Sequence, residues 1–505
     1  MFRAFVSVAL LSSTTAAHAE WRRFETQHFI IFSESSDKRV RELATGLEQV
    51  DGLMRMATGL KDDGQTVKVR IYEMADEGQV EAAFGEYNSG VAGFYTSNIL
   101  GPYAVTLRKA YSAGGDFTGE LVLHHEYAHH FMLQYFPATY PGWYVEGFAE
   151  LIGSSKQLDD GRLAYGFPAK HRGGWIGADW VDVGDILLKP AEKVRFDPYG
   201  QGWAMTHYLT FSKERSGQLR RYLAALTADK SAAEASTAFG NLAVLNRQAH
   251  AYLLSGQFNY TPVKVALTQP VILRTSPVGA AEAALIPDTI AFADTDLSLY
   301  RKEGERGRER KRRQAVLERL RSKTTKFPND AYALFLLAQE ESASGSKQSA
   351  LAASDRLLAQ QPTHAGAMVL KSMLLSDSAA AMAGSARLSK AIEARRLAIT
   401  ANKLDPDNAL TYVAFYRSYP AAGEKAPQSA LDGLATAVEK LPADTAIRQM
   451  LVDQLAAEGR WTEAAFVLLP IANDPHESPM RQAAREKLAT LKAKAAAKPA
   501  AAKAG

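Results

Sequence analysis

The stretch from Leu121 to Leu151 reads LVLHHEYAHHFMLQYFPATYPGWYVEGFAEL and organises this chain of 505 residues. Apolar residues flank its histidine-rich centre without Gly or Pro before Pro137, which predicts a buried helix that ends at this proline. Within that helix His125 and His129 are four residues apart, so both imidazoles leave the same face. Imidazole nitrogens bind Zn²⁺ at about 2.0–2.1 Å. The pair therefore predicts a metal-binding helix.

Two glutamates supply the remaining groups that a catalytic zinc needs. Glu126 follows the first histidine in an HExxH motif, where it can reach a metal-bound water without binding the ion, as the general base of a metalloprotease does. A catalytic zinc takes three protein ligands and keeps a fourth position open. A loop that turns at Pro137 and at Pro141-Gly142 brings back Glu146 as the third ligand. A helix with surface histidines and a chance motif is the alternative.

This stretch resembles the gluzincins, zinc peptidases whose motif is HExxH, a spacer and then W-x-x-E-G-x-A. Here the second block reads WYVEGFA from Trp143 to Ala149. The resemblance implies three zinc ligands and one catalytic base: His125, His129 and Glu146 for zinc, and Glu126 as the base. Glu150 matches the acidic position that orients a zinc-bound histidine in thermolysin-like members, with a solvated helix residue as an equal alternative. His124 and His130 lie off the ligand face, and we expect them to pack or to support the ligands.

A later segment, DPYGQGWAMTHYL, resembles the Y-x-x-G-x-x-x-x-x-x-L segment of aminopeptidases in the same clan. That resemblance implies that Tyr199 donates a hydrogen bond to the developing oxyanion. A tyrosine of the core is the alternative, and His207 is a second candidate for the role. Those aminopeptidases also carry a G-A-M-E-N-type segment whose Glu binds the free amine of the substrate. Nothing between Val67 and Leu121 matches it, so we expect an endo-acting peptidase.

Residues 1–19 predict export. A short basic start precedes an apolar run, and Ala17-His18-Ala19 provides an A-x-A cleavage site before Glu20. No later apolar segment approaches the length that spans a membrane. The chain has no cysteine, which excludes thiol catalysis and Cys-based zinc sites. These features predict a periplasmic or secreted protein with a cleaved signal peptide.

Composition divides the rest of the chain. Residues 20–265 begin with a β-α-β-β pattern, consistent with an α+β zincin-like peptidase domain of a mixed sheet plus the active-site helix, whose last strand borders the cleft. Residues 266–325 are expected to be a linker with a basic helix, since Arg301–Lys323 holds eleven Lys/Arg against four Glu. This run lacks interleaved aromatics, so we expect a solvated helix and no nucleic-acid partner. Contact with anionic lipid or cell-wall polymer stays open.

Residues 326–490 are rich in Ala and Leu and carry a repeat. Five prolines separate the helical stretches at spacings of 34, 44, 36 and 33 residues: Pro328, Pro362, Pro406, Pro442 and Pro475. The region resembles an all-α, tetratricopeptide-like solenoid with one unit lengthened by an insertion near Ser376–Ser385. An ordinary helical bundle is the alternative. Residues 491–505 are basic and of low complexity, and we expect them to be disordered.

These patterns predict an exported peptidase with Zn²⁺ as its cofactor, in which Glu126 activates the water that hydrolyses the peptide bond. The expected substrate is a peptide or protein, and the helical repeats are expected to recruit it or to bind a protein partner. The competing hypothesis is a non-enzymatic periplasmic scaffold whose zincin-like domain is vestigial or structural. Hydrolysis that is lost in Glu126→Gln while the metal is kept separates the two.

Overall fold

The computed structural model describes residues 20–62, 64, 67–84, 91, 93–98, 101–108, 118–136, 140–172, 179–189, 193–228, 230–292, 302–442, 444–473 and 479–497. The predicted signal peptide, Pro137, Pro475 and residues 498–505 lie outside these ranges. The described chain consists of an α+β region up to residue 292 and a helical region from residue 302 onward. Within the described ranges, no helix combines the length and the apolar composition needed to cross a membrane.

A six-stranded mixed sheet lies at the centre of the α+β region. Across the sheet the strands are β4 (Gly93–Asn98), β5 (Gly101–Leu107), β3 (Val69–Met74), β2 (Phe29–Ser33), β1 (Arg22–Glu25) and β9 (Arg274–Pro277). β3 is parallel to both of its neighbours, and the other pairs are antiparallel. The strands that the sequence predicts near Ile31, Ile71, Tyr95 and Tyr103 are present, and β4 forms one edge of the sheet.

Alternate residues of these strands line separate cores on the two faces of the sheet. Four helices cover those faces: α1 (Asp37–Thr58), α2 (Glu77–Phe84), α3 (Gly119–Tyr135) and α10 (Ala280–Ala291). Ile31 and Ile71 are fully buried against α1 and α3. Phe32 and Tyr72 point the other way and pack with α2 and α10. The sheet therefore separates the HExxH helix from α10.

The α+β region includes residues that the sequence analysis placed in a linker. β9 pairs antiparallel with β1, with Arg274 opposite Glu25. α10 buries Ile286 and Ile290 against the sheet. The region thus extends to residue 292 rather than ending at 265. β9 is short and mostly exposed, so it has no apolar pattern by which the sequence could have revealed it.

A second group of helices packs beside α3. It comprises α4 (Gly142–Gly153), α5 (Val183–Leu188), α6 (Gly200–Phe211), α7 (Gln218–Thr227), α8 (Ala232–Ser236) and α9 (Leu242–Ser255). A small antiparallel sheet flanks them, made of β6 (Lys156–Gln157), β7 (Leu163–Tyr165) and β8 (Thr261–Val263). The core of this group includes the buried rings of Trp143, Tyr222 and Phe239. It holds α4 and α6 in place next to the HExxH helix.

The C-terminal part is a helical-repeat region in which consecutive helices pack on one another. After α11 (Glu303–Thr324) come α12 (Ala331–Ala343), α13 (Lys347–Gln360), α14 (Ala365–Ala380), α15 (Gly384–Leu404), α16 (Ala409–Ala422), α17 (Gln428–Lys440), α18 (Thr445–Ala457), α19 (Trp461–Ala472) and α20 (Pro479–Ala497). The residue two after each of four prolines caps the next helix with its side chain: Asp330, His364, Asn408 and Asp444. The repeated proline signal therefore marks helix starts.

One expectation about this region is confirmed and another needs correction. The unit that begins at Pro362 is longer because its helices are longer, with α14 and α15 having 16 and 21 residues against 13 and 14 in α12 and α13. The extra residues are helical and extend the end of α14 and the start of α15, where the insertion near Ser376–Ser385 was predicted. The tail expected to be disordered from residue 491 is helical through Ala497, because Ala, Leu and Lys are good helix formers.

The inner helices of the array face the sheet. α12, α14 and α16 line a cavity of about 420 Å³ whose opposite wall is formed by Val67 and Gly101. Val67 also packs on the core of the array. Gln134, at the end of α3, donates to the carbonyl oxygen of Glu439 at 2.8 Å. We call this space the inter-region cavity.

The basic helix α11 is packed, where the sequence predicted a solvated linker. Val316, Leu317 and Leu320 are buried along it. Its cations bind the flanking helices: Arg319 and Lys323 both reach the buried Asp288 of α10 at 2.5 and 2.7 Å. Arg319 and Lys323 therefore help to hold α10 and α11 together.

Candidate metal centre

The HExxH helix α3 is placed as the sequence predicts. Its N-cap, Thr118, accepts a hydrogen bond from the backbone N–H of Leu121 at 3.2 Å. The helix continues to Tyr135 and buries most of its length, including Leu123, Ala128 and Phe131, between the sheet and α4. Because both of its long sides are covered, the direction in which its polar side chains leave the helix is fixed by packing.

Three predicted ligand atoms converge beside α3. Nε2 of His125 lies 3.1 Å from Nε2 of His129. Oε2 of Glu146, which comes from α4, lies 3.3 Å from the first nitrogen and 3.5 Å from the second. His125 and Glu146 are buried, and the side chain of His129 is 11% exposed. The three donors thus lie close together and mostly buried, with His129 the most exposed of them.

Glycines allow α4 to approach closely enough to deliver its carboxylate. A Cβ on Gly153 would lie 3.2 Å from Cβ of His125 and from the carbonyl oxygen of Leu121. A Cβ on Gly147 would overlap the carbonyl oxygen of Gly202 on α6. The glycine that follows Glu146 is therefore required by the crossing of α4 and α6.

The donor spacing suits a tetrahedral metal ion. Ligand bonds of about 2.0–2.1 Å separated by tetrahedral angles place donor atoms about 3.3 Å apart. The three observed separations are 3.1, 3.3 and 3.5 Å. Two imidazoles and one carboxylate form a donor set that first-row divalent metals accept. His125, His129 and Glu146 could therefore hold such an ion without rearrangement.

Glu150 lies behind the first histidine. Its Oε1 is 3.2 Å from Nδ1 of His125, and its carboxylate also accepts from Nε2 of His171 at 2.8 Å and from Nη2 of Arg172 at 2.6 Å. Burial raises the pKa of Glu150, but these hydrogen bonds and the charge of Arg172 more than offset burial and hold the pKa well below its usual range. The sequence left open whether Glu150 is a solvated helix residue or a carboxylate beside a ligand. The structure places it in the interior, next to His125. Such an arrangement orients the imidazole and raises its basicity.

The sequence pattern did not point to His171 and Arg172. Both lie on a single 3-10 turn, Lys170–Arg172, in a segment with no predicted helix or strand. The consecutive Lys-His-Arg was the one available signal. Such a run is usually solvated, and only the fold shows that it meets a buried carboxylate.

Tyr199 lies at the same centre. Its ring is 6.1 Å from the ring of His125, between centroids, and Cζ of Arg172 sits 4.3 Å over its face. Asp197 accepts from the backbone N–H groups of Tyr199 and Gly200 at 3.0 Å, which fixes the start of α6. Burial, followed by the charge of Glu146, raises the pKa of Tyr199 to about 12. The phenol therefore keeps its proton and can donate it in a hydrogen bond.

Glu126 leaves α3 next to the ligands and is only partly buried. Its negative charge contributes, after burial, to raising the pKa values of Tyr95 and Tyr199. Tyr95 belongs to the edge strand β4, so Glu126 lies within electrostatic reach of both that edge and Tyr199. The carboxylate predicted to act as a base is therefore beside the three candidate ligands.

The other histidines have structural surroundings. His130 is buried, its Nδ1 forms a hydrogen bond of 2.7 Å with the hydroxyl of Tyr95, and burial lowers its pKa to about 3. His124 is also buried, and burial lowers its pKa to about 4. His207 is fully buried away from the ligands, between the carbonyl oxygen of Gly166 and the hydroxyl of Tyr252. Both ring nitrogens of His207 are thus engaged within the protein, which favours a structural role over the oxyanion role that the sequence offered as a second candidate.

Comparison with known proteins yields only structural matches. No protein-family model and no curated protein sequence matches the chain. A thermophilic TPR protein of Thermus thermophilus is 22% identical, covers 35% of this chain and 91% of its own length, and has a TM-score of 0.32. The MamA RS-1 ArsTM double mutant is 16% identical, covers 41% of this chain and 99% of its own length, and has a TM-score of 0.24. A tetratricopeptide repeat protein from Parabacteroides merdae is 13% identical, covers 43% of this chain and 83% of its own length, and has a TM-score of 0.27.

Proposed function

We propose that this chain is an exported, zinc-dependent, endo-acting peptidase of the gluzincin type. The observation that carries the proposal is the convergence of His125, His129 and Glu146 at tetrahedral spacing, with Glu126 adjacent. Within the described residues, two groups of His and carboxylate side chains are close enough together to hold a metal, and this one has the HExxH arrangement.

The bound metal would supply Lewis-acid polarisation of the scissile carbonyl and would lower the pKa of the attacking water. Glu126 accepts the proton of that water at a carboxylate oxygen and returns it to the leaving nitrogen. Its position one residue after His125 on a packed helix keeps this carboxylate beside the ligands. The proton is thus moved by one side chain in both steps.

Tyr199 would stabilise the oxyanion that forms when water adds to the carbonyl. Its pKa of about 12 means that the hydroxyl is a donor at neutral pH. The Arg172 guanidinium over its ring and the hydrogen bond from its backbone N–H to Asp197 restrict its motion. A preorganised donor of this kind strengthens its hydrogen bond as negative charge develops.

The edge strand β4 is where an extended substrate would pair. It lies at the border of the sheet, and Tyr95 links it to α3 through His130. The described residues of β4, GFYTSN, include no carboxylate that could bind a free amine. A substrate that pairs with β4 through its main chain alone can extend on both sides of the scissile bond, as the substrate of an endopeptidase does.

The helical repeats would recruit the substrate or a protein partner. The inter-region cavity presents apolar side chains such as Val369 and Met373 together with Asp405 from α12–α16 and the segments between them. A protein held there has a raised effective concentration at the nearby metal centre. Asp405→Lys should lower kcat/KM for a protein substrate and spare short peptides, whereas Asp432→Lys, an exposed change on α17, should alter neither.

Metal removal tests the proposal. Chelation of the purified mature protein should abolish the cleavage of a denatured protein substrate, and one equivalent of zinc should restore it. Mapping the cleaved bonds in an extracytoplasmic protein extract, with wild type and Glu126→Gln compared, would identify the substrates. Cleavage that is indifferent to the chelator would overturn the assignment.

A further inference from the structure

A second cavity, of about 230 Å³, opens beside the N-terminal half of α3. Its walls come from α3, from the end of α4 with the following residues, and from the 3-10 turn at residues 170–172. None of the three metal ligands lines it, and neither does Glu126. We call it the lysine cavity after Lys156 and Lys170, which stand on its wall.

The charges on the wall favour an anion. Lys156 and Lys170 are exposed, and neither forms an ion pair with a carboxylate in the described part of the chain. The carboxylate on the wall is Glu120, which is bound by Arg39 at 2.6 Å. Two lysines without a carboxylate partner therefore line the cavity, with the ammonium of Lys156 lying 5.6 Å from the ring centroid of Phe167, and the carboxylate on the wall is already paired with Arg39.

Polar atoms on the wall also lack partners. Oγ of Ser155 and Nε2 of His124 are both buried from solvent without a hydrogen bond to any described residue. His124 as a whole is only 7% exposed. Buried polar atoms of this kind are normally satisfied by protein, water or a ligand. The cavity thus has a net positive wall, and two side chains of that wall each carry a buried polar atom with no partner among the described residues.

We propose that the lysine cavity binds a small oxyanion, either a phosphate or the carboxylate of a small organic acid. Two ammonium groups and a hydroxyl are donors that either oxyanion accepts. The site does not depend on the proposed peptidase activity. It does share a residue with the metal centre, because His171 lines the cavity and donates to Glu150, the carboxylate beside His125.

Binding can be measured on the full mature protein by thermal unfolding and titration calorimetry with inorganic phosphate, and separately with acetate, at constant ionic strength. A ligand that binds the folded state raises the unfolding temperature, here by about 3 °C at saturating phosphate. Lys156→Gln combined with Lys170→Gln should remove most of that rise, and each single change should weaken binding about ten-fold. A response to phosphate alone identifies a phosphate site, and a response to both identifies a general oxyanion site.

The control is the pair Lys213→Gln and Lys230→Gln, two exposed lysines that flank α7 far from the cavity wall. Phosphate stabilises proteins in general by exclusion from their surface, and this effect is the same in all variants. Ser155→Ala provides a test that keeps the charges, and it should weaken calorimetric binding. An equal response of wild type and of the Lys156/Lys170 double variant would overturn the proposal, as would the absence of any response to either anion in wild type.

Discussion

Two buried clusters of histidine and carboxylate lie on opposite sides of α3, and they differ in what surrounds them. At the candidate metal centre, one carboxylate oxygen of Glu146 forms a triangle with two imidazole nitrogens, at 3.3 and 3.5 Å from them. In the other cluster His28 meets Glu48 at 2.7 Å and Asp51 at 3.5 Å. There, however, Asp51 also accepts from Nε of Arg55 at 2.6 Å and from the hydroxyl of Tyr127 at 2.7 Å.

The difference shows why proximity of donors is not enough to define a metal site. An arginine already supplies the positive charge in the His28 cluster, so a metal ion would add a cation where one is present. At the metal centre the arginine, Arg172, reaches Glu150 rather than Glu146. We therefore expect a metal beside His129 and a structural ion network beside His28. Four predictions test this comparison.

The largest effect concerns the ligands. His129→Ala and Glu146→Ala should each lower the metal content from one equivalent per chain to near zero, because two remaining donors hold zinc weakly. His28→Gln should leave the content at one. Elemental analysis of the purified proteins gives the answer, and two equivalents in wild type that fall to one in His28→Gln would show that both clusters bind metal.

The next effect concerns stability. Asp51→Ala leaves the buried guanidinium of Arg55 and the buried hydroxyl of Tyr127 without their shared acceptor. Removing one partner of a buried ion pair costs about 3–5 kcal/mol of unfolding free energy. The folded fraction should still carry its metal. Asp185→Ala removes an exposed pair with Lys189 and should cost about 0.5 kcal/mol or less. Urea unfolding followed by far-UV circular dichroism measures both, and similar losses in the two variants would mean that the Asp51 network contributes little.

A smaller effect concerns the carboxylate behind the ligand. Glu150→Gln should weaken metal binding about 10- to 100-fold without abolishing it, because outer carboxylates orient the ligand and raise its basicity. Glu214→Gln, on an exposed turn, should leave the affinity unchanged. Competition with a chromophoric chelator quantifies the difference. An unchanged metal affinity in Glu150→Gln would mean that Glu150 has only a packing role.

The smallest effect is a pH dependence of stability. Burial lowers the pKa of His28, but the hydrogen bond to Glu48 and the charge of Asp51 more than offset this and raise the pKa above 6.5. Burial raises the pKa of Glu48, but the hydrogen bonds to His28 and Thr26 and the charge of His28 together outweigh burial and lower the pKa below 4.5. The stabilisation is therefore complete between about 4.5 and 6.5. It fades as pH rises through the folded pKa of His28 or falls through that of Glu48.

The measurement is the free energy of unfolding of wild type minus that of His28→Gln across this range. The difference should be greatest in the window and should shrink on both sides. A difference that stays constant from acid to alkaline pH would show that the His28–Glu48 pair does not titrate with folding.

Local spacing explains how much of the metal centre the sequence could predict. His125, Glu126 and His129 share one helical turn, so their relation follows from helix geometry alone. Glu146 needed only one short connection to return. His171 and Arg172, by contrast, reach Glu150 across about 20 residues of irregular chain, and no periodic pattern records such a contact.

The same limit applies to the fold. The helices of the repeat region follow from their proline and cap signals, but the direction in which α12, α14 and α16 face depends on contacts with Val67 and Gly101 far away in sequence. β9 joins the sheet through its backbone, which leaves no trace in side-chain pattern. The orientation of the repeat helices and the pairing of β9 are thus determined by contacts between residues far apart in sequence.

The central claim is that Glu126 performs chemistry at a metal held by three neighbouring residues. The direct test is Glu126→Gln, with Glu393→Gln on the exposed face of α15 as the matched control. We predict that Glu126→Gln keeps one metal per chain and the wild-type unfolding temperature, while the cleavage of protein substrate falls by about a thousand-fold. Near-normal cleavage by a metal-loaded Glu126→Gln protein would contradict the account.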